Sequence, residues 1–211
     1  MLAVFLSPVF TLAYNPSIND TKVPYEVYEA SSNIEARSEY LGELTGEPQM
    51  YEFSLGRETN LNLGLYQLDT ETPIPFSLIV VKQNDRNAGV VEIVRLKSSE
   101  VVWSEMDDSV IGINLLSSQS TEAQLGAGLY RVEVSTPDNF GRYMLRIGEG
   151  DNDAGYFKTL GHVYTIQNFF GKSIFSMLKS SYVYYPLGII ILGLLFYFTW
   201  RNRQKITHKN A

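Results

Sequence analysis

The chain has 211 residues, no cysteine, only two histidines (His162 and His208) and a net charge of −6. The lack of cysteine excludes a disulfide framework, thiolate metal sites and thiol catalysis, and so few histidines argue against a Ser-His-Asp triad or a His-based zinc site. The residues after Trp200 hold four cations and no acid, so the rest carries −10, which argues against nucleic acid and against docking on anionic lipid headgroups.

Residues 1–13, MLAVFLSPVFTLA, are apolar and too short to span a bilayer, and Thr11 and Ala13 fit the small residues wanted before a signal-peptidase cut. They read as a cleavable leader without its basic n-region. Residues 14–37 are polar, hold Pro16 and Pro24, and read as an arm or linker with one short strand around Tyr25–Glu29. Within the arm, Asn19-Asp20-Thr21 matches the N-glycosylation triplet. Residues 38–150 change to short β runs broken by turn residues. Tyr40–Leu44 is followed by Met50–Leu55, with Tyr51, Phe53 and Leu55 on one face, and then by alternating Leu61, Leu63 and Leu65. Ile74–Lys82 is nearly all apolar and reads as a central strand buried on both faces. Val90–Leu96, Val101–Trp103 and Val110–Leu116 follow. In Gly128–Val134 the residues Tyr130, Val132 and Val134 alternate with Leu129, Arg131 and Glu133, and Tyr143–Ile147 closes the series. About eight strands without a long helix between them predict an all-β, antiparallel sandwich.

This region resembles the bacterial pre-peptidase C-terminal (PPC) domain. The residues that carry the resemblance are Tyr51, Phe53 and Leu55; Leu125, Ala127, Gly128 and Tyr130; and Gly141, Tyr143 and Leu145. They are turn glycines and core aromatics, which mark a fold rather than a site. The resemblance implies a jelly-roll-like sandwich. Some PPC-like domains bind calcium near the N-terminal arm, where this chain has Asp20, Glu26, Glu29 and Glu35, which align to no metal motif. PPC-like domains accompany secreted proteases, and no protease domain is present in this sequence.

Residues 151–181 read as a connector and a juxtamembrane amphipathic helix. The helix is expected over 166–180, with Ile166, Phe169, Phe170, Ile174, Met177 and Leu178 on one face, lying in the headgroup layer or packing on the sandwich. Residues 182–200 hold no charge and would rise about 28 Å as a helix, close to the thickness of a bilayer's hydrocarbon core. Tyr182 and Tyr185 at one end, and Trp200 at the other, suit the headgroup level. Arg201 and Arg203 open a basic tail, 201–211. The positive-inside rule places that tail in the cytoplasm and the acidic domain outside, in the periplasm or at the cell surface. The missing disulfides fit a prokaryotic envelope.

Few residues suggest chemistry. Asp151, Asp153 and Glu149 offer hard oxygens for calcium, but no EF-hand loop surrounds them, and solvated turns are the better reading of these acids and of those in the arm. Glu105, Asp107 and Asp108 form a second acidic stretch that a carboxylate-based hydrolase would use. Trp103, Tyr130 and Tyr143 would make a sugar-stacking platform or, more simply, core aromatics. Neither Gly-x-Ser-x-Gly, His-Glu-x-x-His nor a phosphate loop is present. The expectation is a non-enzymatic binding or assembly module with no resident cofactor, calcium being the one candidate. It would be held by membrane lipid and partnered by other membrane or extracytoplasmic proteins. The alternatives are a carbohydrate- or matrix-binding module and a hydrolase.

Overall fold

The computed structural model describes residues 14–21, 23–84, 89–150 and 154–207, with the backbone alone for 203–207. The leader expected over 1–13 lies outside the described residues. Twelve strands among the described residues form two sheets. The larger runs in the order β1 (Pro16–Asn19), β3 (Ser38–Thr45), β12 (Phe140–Ile147), β5 (Thr59–Leu68), β9 (Ile113–Ser117) and β8 (Ser104–Asp108), with β10 (Thr121–Leu125) also paired to β5. The smaller runs β2 (Val27–Glu29), β4 (Gln49–Leu55), β11 (Gly128–Ser135), β6 (Ser77–Gln83) and β7 (Val90–Leu96).

The inner faces follow the period of two set by the pleat. Tyr51, Phe53 and Leu55 from β4, Tyr130, Val132 and Val134 from β11, and Leu78 and Val80 from β6 meet Leu61, Leu63 and Leu65 from β5 and Tyr143, Leu145 and Ile147 from β12. The register that pairs Tyr51 with Val132 and Phe53 with Tyr130 keeps all four on the core side.

The expected strands differ from the observed ones in specific ways. The arm contributes two strands, since β1 and β2 add in parallel to β3 and β4, so the sandwich is not purely antiparallel. Ile74–Phe76 lies outside β6, whose outer face is only half-buried, so it is not a strand buried on both sides. Val101–Trp103 precedes β8 rather than forming a strand, and β9 starts at Ile113, not Val110. The stretch TEAQL is β10, paired to β5, and its short alternation sets Ala123 and Leu125 on the core side and Glu122 and Gln124 outward.

The helix expected over 166–180 is displaced. Helix α1 covers Tyr156–Phe169, a short 3₁₀ helix covers Ile174–Lys179, and α2 runs from Ser181 to Thr207. Gly171 ends α1 with φ of +73°, donating to Asn168 O at 2.9 Å while Lys172 N donates to Gln167 O at 2.9 Å. Those are the two bonds of a Schellman cap, which a glycine in the left-handed region closes without strain.

Candidate functional site

The outer face of the larger sheet is covered. Thr159, Val163, Ile166 and Gln167 fall on one side of α1 at helical spacing and are buried there, with Phe170 beyond the helix end. Val163, Ile166 and Phe170 pack with Leu41, Tyr66, Ile113, Leu115 and Met144 from β3, β5, β9 and β12 in a second apolar cluster. The stretches 38–42 of β3 and 143–147 of β12 are therefore covered on both faces. Under this layer lies a charged network. Register places Glu39 opposite Arg146, so two strand-borne charges of opposite sign meet on the covered face. Glu39 is fully buried; it binds Arg37 at 2.5 Å, lies 3.4 Å from Arg146 and accepts the Asn15 backbone N–H at 2.7 Å. Arg146 donates to Tyr66 at 2.6 Å and to the Tyr14 hydroxyl at 3.3 Å. The Arg37 guanidinium stacks 4.1 Å from the centre of the Tyr14 ring, the Tyr14 hydroxyl meets the Asp108 carboxylate, and the Tyr14 carbonyl meets the His162 ring. Burial, with the Asp108 charge beside it, holds the Tyr14 phenol well above its ordinary range. The network thus joins the start of the described chain, four strands (β3, β5, β8 and β12) and α1.

The β8–β9 turn, residues 109–112, grips the start of α2. Ser181 N donates to Ser109 O at 2.7 Å, and the fully buried Ser180 donates its hydroxyl to Val110 O at 2.6 Å. The Gln167 side chain donates to Ile111 O at 2.5 Å and to Ser176 O at 3.3 Å. Tyr156 on α1 donates to Tyr182 O at 2.7 Å and stacks on the Tyr182 ring with centroids 5.6 Å apart. Gly112 turns with φ of +70°, and a Cβ there would stand 2.6 Å from the Ser180 backbone nitrogen. Gly112→Ala is therefore expected to lower stability by about 2 kcal/mol through strain and overpacking, and to open 171–181 to protease. Gly56→Ala, with nothing within 4 Å, should change neither urea midpoint nor cleavage and serves as the control.

From this joint runs the 22-residue stretch Ser181–Asn202, long and apolar enough to cross a membrane, whose apolar core is not buried inside the protein. Its rise of about 33 Å matches a bilayer's apolar thickness. Large apolar side chains are also exposed next to its start: Phe157 (84%), Phe175 (77%), Ile174 and Leu178. Tyr182 is half-buried in the joint, whereas Tyr185, Trp200 and Arg201 are exposed; the Arg203 side chain lies outside the described residues.

Other expected site residues are placed as follows. Glu149 is exposed at a cavity of about 530 Å³ with Glu35, Asn60, Asn62, Glu122 and Gln124. Asp151 and Asp153 lie outside the described residues, and no group of three His, Cys, Asp or Glu side chains among the described residues is arranged to hold a metal. Glu105, Asp107 and Asp108 lie on strand β8 rather than in a loop, and Asp108 also accepts the Val110 and Ile111 backbone N–H groups at 2.8 and 3.1 Å. Tyr130 and Tyr143 are inside the sandwich core, which removes them from any sugar platform; half-buried Trp103 packs edge-on to Phe76.

Neither a family model nor a curated protein sequence matches the chain. Among solved structures it is similar to the pre-peptidase C-terminal domain of collagenase from Bacillus anthracis, with a TM-score of 0.37 and 15% identity, over 61% of this chain and 98% of that domain. A likeness this low assigns neither a family nor an activity.

Proposed function

We propose that the chain is a single-pass membrane protein whose jelly-roll-like, PPC-like sandwich sits outside the cytoplasmic membrane. It acts there as a non-enzymatic binding and assembly module, an accessory subunit of a membrane complex. The observation that supports this most is the joint: Ser180, Ser181 and Tyr182 are bonded to the β8–β9 turn and to α1. A head on a flexible tether samples all directions, whereas a head fixed to its span presents the same surface to neighbours in the same bilayer. Fixed orientation removes part of the rotational cost of association, and confinement to the membrane raises effective concentration. The basic tail after Trp200 supports a cytoplasmic C-terminus.

Cross-linking in native membranes, followed by mild detergent extraction, tests the reading. A discrete higher-mass species containing another membrane protein is expected, and its yield should fall when Gly112→Ala loosens the joint. A chain recovered only as a monomer would overturn it. A second reading, a carbohydrate-binding module, has in its favour the cavity beside Glu149, whose amide and carboxylate groups suit sugar hydroxyls. Glycan binding lost in Asn60→Ala and Gln124→Ala would favour that reading.

A further inference from the structure

A cavity of about 260 Å³ opens between the β8–β9 turn and the 3₁₀ helix. Lys172, Ser176 and Lys179 line it from one side, Asp69 and Asn114 from the other. Among the described residues neither lysine has an ion-pair partner, whereas Arg37, just before β3, and Arg142 and Arg146, on β12, each have one. The same short turn exposes Ile174, Phe175 and Leu178. Two ammonium groups and a hydroxyl thus share one small cavity beside an apolar rim, two residues ahead of α2.

We propose that Lys172, Ser176 and Lys179 hold the phosphodiester headgroup of an anionic phospholipid, in the leaflet on the domain's side of the span, while Ile174, Phe175 and Leu178 meet its acyl chains. The inference rests on the reading of α2 as a membrane span, which sets the turn at headgroup depth. Phosphate chemistry follows from the donor set: two cations and a hydroxyl donor matched to oxygens carrying one negative charge. An amphipathic ligand follows from the rim, which free phosphate would leave in water. The net −10 of the rest of the chain gives no long-range attraction to an anionic surface. The pair acts within the Debye length of about 8 Å at physiological salt, where the headgroup is already in place. Asp69 lines the same cavity, and its negative charge weakens the site's pull on an anion.

The test uses the full chain in vesicles of phosphatidylcholine, alone or with a minor share of phosphatidylglycerol. Flotation comes first. A chain that fails to float even with phosphatidylcholine would overturn the span itself, and this inference with it. For a chain that floats, lipid retained after mild detergent extraction is read by native mass spectrometry. Phosphatidylglycerol is expected to be retained about tenfold over phosphatidylcholine, given roughly 1 kcal/mol for each lysine near an anionic surface less the opposition of Asp69. The double variant Lys172→Ala/Lys179→Ala should lose that preference while still floating, and Asp69→Asn should strengthen it. Equal retention of the two lipids in the native chain, or an unchanged preference in the double variant, would overturn the proposal while leaving the span intact. Loss of the preference on adding inorganic phosphate in excess would assign the cavity to a free anion and overturn the lipid source.

Discussion

Glu39→Gln is expected to cost about 3–5 kcal/mol of stability, read as a fall in the urea midpoint of the full chain in mild detergent. Glu39 is fully buried, and its oxygens answer Arg37, Arg146 and the Asn15 backbone N–H. Glutamine fills the same volume, so packing is preserved and the loss isolates charge. Two guanidinium groups would then share a covered face without the carboxylate that both of them face, and desolvated charge that loses its counter-ion is among the most costly features a fold can hold. Removing the cations together, as Arg37→Met/Glu39→Met/Arg146→Met, should recover most of the loss, because apolar groups of similar size need no partner. A midpoint in Glu39→Gln within about 1 kcal/mol of the native chain would mean that water reaches the network and that α1 does not seal it.

Alkaline unfolding is expected to begin as pH rises past 10, well before the buried phenols ionise in the folded state. Burial pushes the Tyr51 hydroxyl up to about 12, burial with Tyr51 beside it raises Tyr143 well above its ordinary range, and Tyr14 is raised in the same direction, first by burial and then by Asp108. In the unfolded chain all three lose their protons near 10. Above that value the unfolded state binds fewer protons than the folded state, so stability falls with pH. Each group contributes about 1.4 kcal/mol per pH unit, and the three together about 4 kcal/mol per unit, until pH reaches about 12 and Tyr51 ionises in place. Below pH 10 all three are protonated in both states and this contribution to stability is complete. Tyr143→Phe should flatten the slope by about a third, although it also removes the bonds to Tyr51 at 2.9 Å and to Gln49 at 2.8 Å. A urea midpoint that stays constant to pH 11.5, or all 14 tyrosines titrating together near 10, would contradict the buried placement of these phenols.

The inner faces of the sandwich were legible because Tyr51-x-Phe53-x-Leu55 and Tyr130-x-Val132-x-Val134 alternate with polar residues, and one covered face is enough to impose that period. The second layer was not. Leu41 and Met144 are apolar on the outward side of β3 and β12, the one signal that this face is also covered, but the charged Glu39 and Arg146 beside them read as solvent-facing. Alternation tells which residues share a face and not what lies over it. Helix α1 was obscured by Gly161 and by Tyr156, Thr159, Val163, Tyr164 and Thr165, residues of modest or poor helix propensity; the stronger apolar pattern further on drew the expected helix across Gly171. The joint residues Gly112, Gln167 and Ser180 have no pattern of their own, because their partners are backbone carbonyls and amides brought together only by the fold.

The claim on which the function depends is that α2 lies in a bilayer. Alkaline carbonate extraction of membranes carrying the full chain tests it most directly. The head itself is expected to loosen at that pH, so that only an embedded helix can hold the chain. The full chain should stay in the pellet while a chain ending at Ser180 enters the supernatant; release of the full chain into the supernatant would contradict the membrane span.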